Sequence, residues 1–372
     1  MKITDVRLIS HDRPKVDRPG PSPLPLSVLV VSTDEGVDGY NFVGAPFPDV
    51  NAQLLGLARQ LLVGRDPLDI GLIWRLFQDR RRMFNPLVQG YIDVALWDIA
   101  GKVAGLPIHR LLGTCRDRVP THASSWVHND CETYAEEAVA YKELGLRGYK
   151  LHPPTQRRLH QGQPVPLDDD IRACSLVRDA VGGDYTVMLD SAWAYSYAEA
   201  LKVGFAIEDL DYYWYEDPLK ADDIYGYQRL KQQLSIPILA TELTDGGFYA
   251  LAPWVTAKAT DFLRGDVVLK GGITGMMKIA RLAEAFQLNC EVHDAYNALN
   301  NVASLHVIMA MDNCEFFEVL TIHEPGSYDL DHLSYGLATP IDIDRDGFVH
   351  APTAPGLGYE IDWDLIGSPR PG

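Results

Sequence analysis

From Val119 to Leu320, short apolar runs alternate with amphipathic stretches, and no other feature of the chain constrains its fold so tightly. The runs are His122–Val127, Gly148–His152, Thr186–Asp190, Tyr212–Glu216, Ile236–Glu242, Val267–Lys270, Leu288–His293 and Phe316–Leu320. The stretches Glu132–Glu143, Ile171–Ala180, Tyr197–Glu208 and Thr274–Phe286 carry helical periodicity and separate several of them. Eight strands alternating with helices predict a (β/α)8 barrel rather than an open sheet.

The first third reads differently. Leu26–Thr33 and Val37–Val43 flank a turn signal at Asp34-Glu35-Gly36, which predicts an antiparallel hairpin. Helical patterns follow: Leu54, Leu55, Ala58, Leu61 and Leu62, then Ile70, Ile73, Trp74 and Phe77. A longer one after Pro86 carries Tyr91, Ala95, Leu96, Ile99 and Val103 until Gly105-Leu106-Pro107 stops it. Strands followed by helices predict an α+β unit. The expected division is an α+β domain over 1–118, the barrel over 119–321, and a Pro- and Gly-rich segment over 322–372 that returns to the first domain.

Composition narrows the function. With 47% hydrophobic and 23% charged residues among 372, the chain is neither disordered nor membrane-spanning, since no apolar run nears the ~18 residues a span needs. Its formal charge of −18 comes without a basic stripe, which argues against a nucleic-acid partner. Charges in Met1–Arg7 interrupt what a secretory signal would need as an apolar core, so a cytoplasmic location is expected. Five cysteines without a C-x-x-C pair predict free thiols rather than disulfides or a zinc site.

Active sites of such barrels lie at the carboxyl ends of the strands. Here those ends bear Lys150 and His152, then Asp190, Glu216, Glu242, Asp266, His293 and Glu318. From Asp190 the charges recur at intervals of 26, 26, 24, 27 and 25 residues, one βα unit each, as if converging on one site. Asp190, Glu216 and Glu242 on adjacent strands offer an oxygen-only cage suited to Mg²⁺, one ion per subunit. Lys150 and His152 alternate about Leu151 and so share a face. Asp266 is placed to orient His293, whose strand lies across the barrel mouth from Lys150 and His152.

These residues sit among further motifs: Tyr91-Ile92-Asp93-Val94-Ala95-Leu96-Trp97-Asp98-Ile99-Ala100-Gly101, Gly148-Tyr149-Lys150, Glu216-Asp217-Pro218, Ala240-Thr241-Glu242, Gly271-Gly272-Ile273-Thr274-Gly275 and Pro355-Gly356-Leu357-Gly358. In this order they resemble the enolase superfamily, and within it the mandelate racemase-like group, over nearly the whole chain. The resemblance implies a modified TIM barrel under an N-terminal α+β capping domain completed by the C-terminal tail. It also implies Mg²⁺-assisted removal of the proton α to a substrate carboxylate. Asp190, Glu216 and Glu242 match the group's metal ligands, Asp266 and His293 its dyad, and Glu318 the acid that meets a substrate carboxylate oxygen. Lys150 matches the first lysine of a K-x-K motif, whose second lysine is here His152. An asparagine often found in the family is replaced by Ala192.

Members with the dyad resemble acid-sugar dehydratases, so dehydration of an aldonate or aldarate to a 2-keto-3-deoxy acid is the expected reaction. A racemase, epimerase or cycloisomerase is the alternative, and a non-catalytic sugar-acid-binding barrel stands outside both. The expected partner is a small carboxylate substrate, with no nucleic acid or membrane, in a homo-oligomer. Substrate contacts are expected from His11–Pro25, notably Arg13, Lys15 and Arg18, and from Phe47 in the segment Ala45–Pro48.

Overall fold

The computed structural model describes residues 1–11, 26–44, 48–293, 297–320 and 333–367. Arg13, Lys15, Arg18 and Phe47 therefore lie outside the described residues. In the N-terminal domain, Leu26–Thr33 (β2) buries seven of its eight residues between two antiparallel neighbours, Ile3–His11 (β1) and Gly39–Val43 (β3). Asp5 and Arg7 break the apolar pattern of β1, which hid that strand from the sequence reading.

The barrel strands are Arg118–Ser124 (β4), Gly148–Leu151 (β5), Thr186–Asp190 (β6), Tyr215–Glu216 (β7), Ile238–Ala240 (β8), Phe262–Gly265 (β9), Asn289–Val292 (β10) and Phe317–Leu320 (β11). They form a parallel sheet in the order β10-β9-β8-β7-β6-β5-β4-β11. Its seam, between β10 and β11, is bridged by a side chain. The Glu291 carboxylate accepts the N–H groups of Glu315 at 3.0 Å and Phe316 at 3.3 Å. A carboxylate thus satisfies donors that a missing strand pair would leave unpaired.

One strand lies elsewhere than the sequence reading put it. The sixth is Phe262–Gly265, and the apolar run Val267–Leu269 is a turn. Asp266 Oδ1 accepts the N–H of Val268 and of Leu269, each at 2.7 Å, so this carboxylate builds the turn that follows the strand. Arg264, a charge inside the true strand, concealed it.

The two domains meet through the long helix Pro86–Ala104, capped by Asn85 at its start and by left-handed Gly105 at its end. Asp93 Oδ2 accepts Thr274 N–H at 2.9 Å, Trp97 Nε1 donates to Thr274 Oγ1 at 2.9 Å, and Trp74 Nε1 donates to Gly271 O at 2.9 Å. The Tyr91–Gly101 and Gly271–Gly275 motifs are therefore two halves of one interface. Gly90 allows the close approach, because a Cβ there would stand 2.3 Å from Val268 O. Gly101 does the same for the C-terminal segment, whose Gly356 Cα would lie 2.6 Å from such a Cβ. That segment is tied down by Leu357 N–H on Asp98 Oδ1 (2.9 Å), by Leu357 O bonded to His306 Nε2 (3.0 Å), and by Phe348–His350 (β12), antiparallel to β4. Among the described residues no helix is long and apolar enough to cross a membrane. All five cysteines are free.

Candidate active site

Several strands deliver their charge at or just past their ends, whereas Glu318 is the second residue of β11 and Lys150 lies inside β5. Asp190 and Glu216 are register partners at the ends of β6 and β7, and Glu242 lies two residues beyond β8. The backbone around them is strained: Ala192 (φ 44), Trp193 (φ 63), Asp217 (φ 41) and Thr241 (φ 92) are all left-handed without being glycine. Hydrogen bonds hold the first of these turns, from Ala192 N to Asp190 Oδ1 (2.9 Å) and from Trp193 N to Asp217 O (2.8 Å).

Lys150 is buried at the centre of the acids. Its Nζ lies 2.7 Å from Glu318 Oε1, 3.0 Å from Glu216 Oε2 and 3.2 Å from Asp190 Oδ2, so one carboxylate faces each N–H of the ammonium. Burial and Arg264 disfavour its charge, yet the three carboxylates prevail and its proton is held more tightly than usual. The same balance holds Asp190 and Glu318 below the usual carboxylate range: burial opposes their charge, and Lys150 with His152, or Arg264 with Lys150, outweighs it. Glu216 goes the other way, pushed up to about 7 by burial and by its acidic neighbours despite Arg264 and Lys150.

The structure gathers both histidines into the same pocket of about 200 Å³, lined also by Asp190, Glu242, Glu318, Trp126 and Trp193. His152 Nδ1 is 2.7 Å from Ser125 O, its backbone N–H donates to Ser125 Oγ at 2.9 Å, and its Nε2 is 3.0 Å from Asp190 Oδ2. Tyr134 adds a bond from its hydroxyl to His152 O (2.7 Å), fixing the strand end from behind. His293 Nδ1 is 3.2 Å from Asp266 Oδ2, and its Nε2 is 3.6 Å from Glu242 Oε1. Burial disfavours imidazolium there, but Glu242 and Asp266 reverse this and raise His293 to about 10. A larger cavity of about 530 Å³ lies between the long helix and the tail, but Lys102 in its wall is already bound to Asp98 at 2.6 Å.

Several residues of this centre escaped the sequence reading. Arg264 is buried, with Nη2 2.6 Å from Glu318 Oε2, Nε against Glu216 Oε1, and Glu242 Oε2 at 3.6 Å. Its signal was present, because it stands two residues before Asp266 and so on the same strand face. Lys270 donates to Thr244 O at 3.0 Å and is lowered to about 8, burial outweighing Asp266 and Glu242. Asp217 is held well above the usual carboxylate range by burial and by Glu242, and its Oδ2 makes no hydrogen bond. Its place beside Glu216 was read only as part of a motif.

Among the described residues no three His, Cys, Asp or Glu side chains close into a ready cage for an ion. The reason is visible: Lys150 and Arg264 lie against the very carboxylates that would form it. The donor set nonetheless fits a hard divalent cation. It is all oxygen, it comes from three adjacent strands, and Glu216 Oε1 is buried without a hydrogen bond of proper geometry.

Comparison with known proteins identifies the family. Residues 133–365 match the family described as enolase C-terminal domain-like, and residues 20–113 match the mandelate racemase / muconate lactonizing enzyme N-terminal domain. An arabinonate dehydratase of Saccharolobus solfataricus is 26% identical over 91% of this chain and 89% of its own length. A D-galactarolactone cycloisomerase of Agrobacterium fabrum is 28% identical over 98% of each. The crystal structure of D-glucarate dehydratase from Agrobacterium tumefaciens complexed with magnesium superposes with a TM-score of 0.85, at 32% identity over 98% of both chains. The chain belongs to the enolase superfamily.

Proposed function

We propose that this member of the enolase superfamily removes the proton α to the carboxylate of an acid sugar, an aldonate or aldarate, and expels the β-hydroxyl to give a 2-keto-3-deoxy acid. One observation carries the reading: two imidazoles, each held through Nδ1, line a single pocket beside three carboxylates suited to Mg²⁺. A carboxylate α-proton is very weakly acidic, so its removal needs cations already in place for the charge that develops. Asp190, Glu216 and Glu242 would hold the Mg²⁺, which supplies such charge when bound. Lys150 supplies a second, fixed positive charge, held in place by Glu318 at 2.7 Å.

Asp266–His293 is the acid/base unit in this reading. Because Asp266 is itself pinned by two backbone N–H groups, the ring it orients has little freedom. With Glu242, the main group that holds the ring protonated, committed to the ion, neutral His293 takes the α-proton and returns it to the departing hydroxyl, while His152 binds from the other side. An isomerase reading is supported by the same symmetry, since two fixed imidazoles at one pocket also suit a two-base reaction, and one relative is a cycloisomerase. The neighbouring dehydratases favour elimination. The substrate is the expected small-molecule partner. Homo-oligomerisation belongs to the same proposal, and light scattering measures it.

The test is incubation with Mg²⁺ and a set of aldonates and aldarates, scored for 2-keto acids. Glu216→Gln should nearly abolish turnover while leaving the fold intact, because it removes one anionic ligand of three. Full activity after exhaustive EDTA treatment would contradict the reading.

A further inference from the structure

Arg264 takes no part in the proton transfers above, yet it is one of the largest fully buried side chains and stands in the middle of the acids. Around it the inner cluster contains the carboxylates of Asp190, Glu216, Glu242 and Glu318 and the cations Lys150 and Arg264. Counting His293, which meets Glu242 Oε1 at 3.6 Å, four carboxylates face three cationic groups, so the acids remain in excess. Lys150 and Arg264 divide the acids unequally. Lys150 serves Asp190, Glu216 and Glu318, and Arg264 serves Glu216, Glu318 and, more loosely at 3.6 Å, Glu242.

Arg264 is also held in place. Its backbone N–H donates to Thr241 Oγ1 at 3.0 Å, and Thr241 Oγ1 donates back to Arg264 O at 3.0 Å, joining it to the residue beside Glu242. A guanidinium in these surroundings stays charged at any working pH, so it cannot leave by losing a proton. It can only share its carboxylates with an arriving ion or compete for them.

We propose that Arg264 is a resident counter-ion: it holds Glu216 and Glu242 together in the metal-free protein and competes with the divalent cation for them, Glu242 being the ligand it yields. This rests on reading the three carboxylates as the ion site. Two consequences follow. The metal-free chain keeps its acid cluster without an ion, and affinity for the ion is lower than three carboxylates alone would give. A unit positive charge a few ångströms from the ion, at the effective dielectric of a protein interior, weakens binding by more than tenfold.

The test is calorimetric titration of metal-stripped protein with Mg²⁺ alone, paired with thermal unfolding with and without Mg²⁺, for wild type, Arg264→Gln and Arg264→Lys. Arg264→Gln should bind Mg²⁺ at least tenfold more tightly, melt lower when metal-free, and gain more from Mg²⁺ than wild type does. Arg264→Lys keeps the charge and should bind within threefold of wild type. A Gln variant that folds only with Mg²⁺ would support the inference in its strongest form. Equal or weaker binding by Arg264→Gln, or a tenfold gain in Arg264→Lys, would overturn it. Should the Gln variant fail to fold even with Mg²⁺, the crystal structure of the wild-type Mg²⁺ complex decides. Glu242 lying farther from Arg264 there than in a crystal structure of the metal-stripped wild type supports the inference, and an equal distance refutes it. A wild type that takes up no Mg²⁺ would overturn the ion-site reading itself, and this inference with it.

Discussion

Replacing Lys150 with Met removes the one ammonium that three buried carboxylates share, at 2.7, 3.0 and 3.2 Å. Methionine fills similar volume, so the cost is electrostatic. Breaking a buried ion pair by deleting one partner costs about 3–5 kcal/mol. Here Arg264 still serves Glu216 and Glu318, and His152 still serves Asp190, which places the expected loss at the lower end, about 3 kcal/mol. Urea unfolding in EDTA measures it.

The loss should depend on pH, and its sign can be worked out. In wild type, Asp190 and Glu318 have folded pKa values below their unfolded ones, so their contribution is present above the ordinary carboxylate range and is lost as pH falls. Without Lys150 those carboxylates crowd one another and take up protons more readily. The deficit should therefore be largest near pH 8 and shrink toward pH 4. A deficit below about 1 kcal/mol at pH 8, or one that stays constant down to pH 4, would refute the electrostatic account. The same variant should lose kcat by about a hundredfold or more while KM changes less, because the missing charge matters most as the dianion develops. Wild-type kcat with only a raised KM would count against that role.

Two further changes test the scaffold. His122 sits edge-on to Trp214 and Phe316 and is lowered to about 3 by burial, so wild type loses stability as pH falls below the unfolded value of about 6.5. His122→Phe should lose about 1.4 kcal/mol less per pH unit between pH 6 and 4, and a pH series of unfolding midpoints with unchanged slope would contradict this. Gly90→Ala forces a Cβ to within 2.3 Å of Val268 O, in the turn built by Asp266. It should cost about 2 kcal/mol and reduce kcat as well, and a fully active variant would show that the turn can move without disturbing the dyad.

The parts of this fold legible in the sequence were those with a period. A βα unit spans about 25 residues, so Asp190, Glu216, Glu242, Asp266, His293 and Glu318 showed themselves as regularly spaced charges. The sixth unit kept that spacing but not the match between apolar run and strand. Its strand contains Arg264, and the apolar Val267–Leu269 after it is a turn, so the run and the strand did not coincide. Interior charges defeat apolar patterning for a physical reason: they are tolerated only where partners from other strands meet them, and those partners are remote in sequence. Arg264 needs Glu216, Glu242 and Glu318, which lie 48, 22 and 54 residues away. The Ser125 carbonyl that holds His152 is a backbone group and leaves no signature in residue type. The left-handed turn at Ala192 and Trp193 is set by Asp190 and Asp217, and neither residue's own propensity favours it.

The most direct measurement is exchange of the substrate α-proton in D2O, followed by proton NMR, for His293→Asn and His152→Ala with the acid sugar that wild type turns over in Mg²⁺. If Asp266–His293 is the acid/base unit, His293→Asn loses both exchange and turnover, and His152→Ala still exchanges the α-proton. An inactive His293→Asn enzyme that continues to wash the α-proton into solvent would contradict the account: His152 would then be the base, and the departing hydroxyl would take its proton from the opposite face.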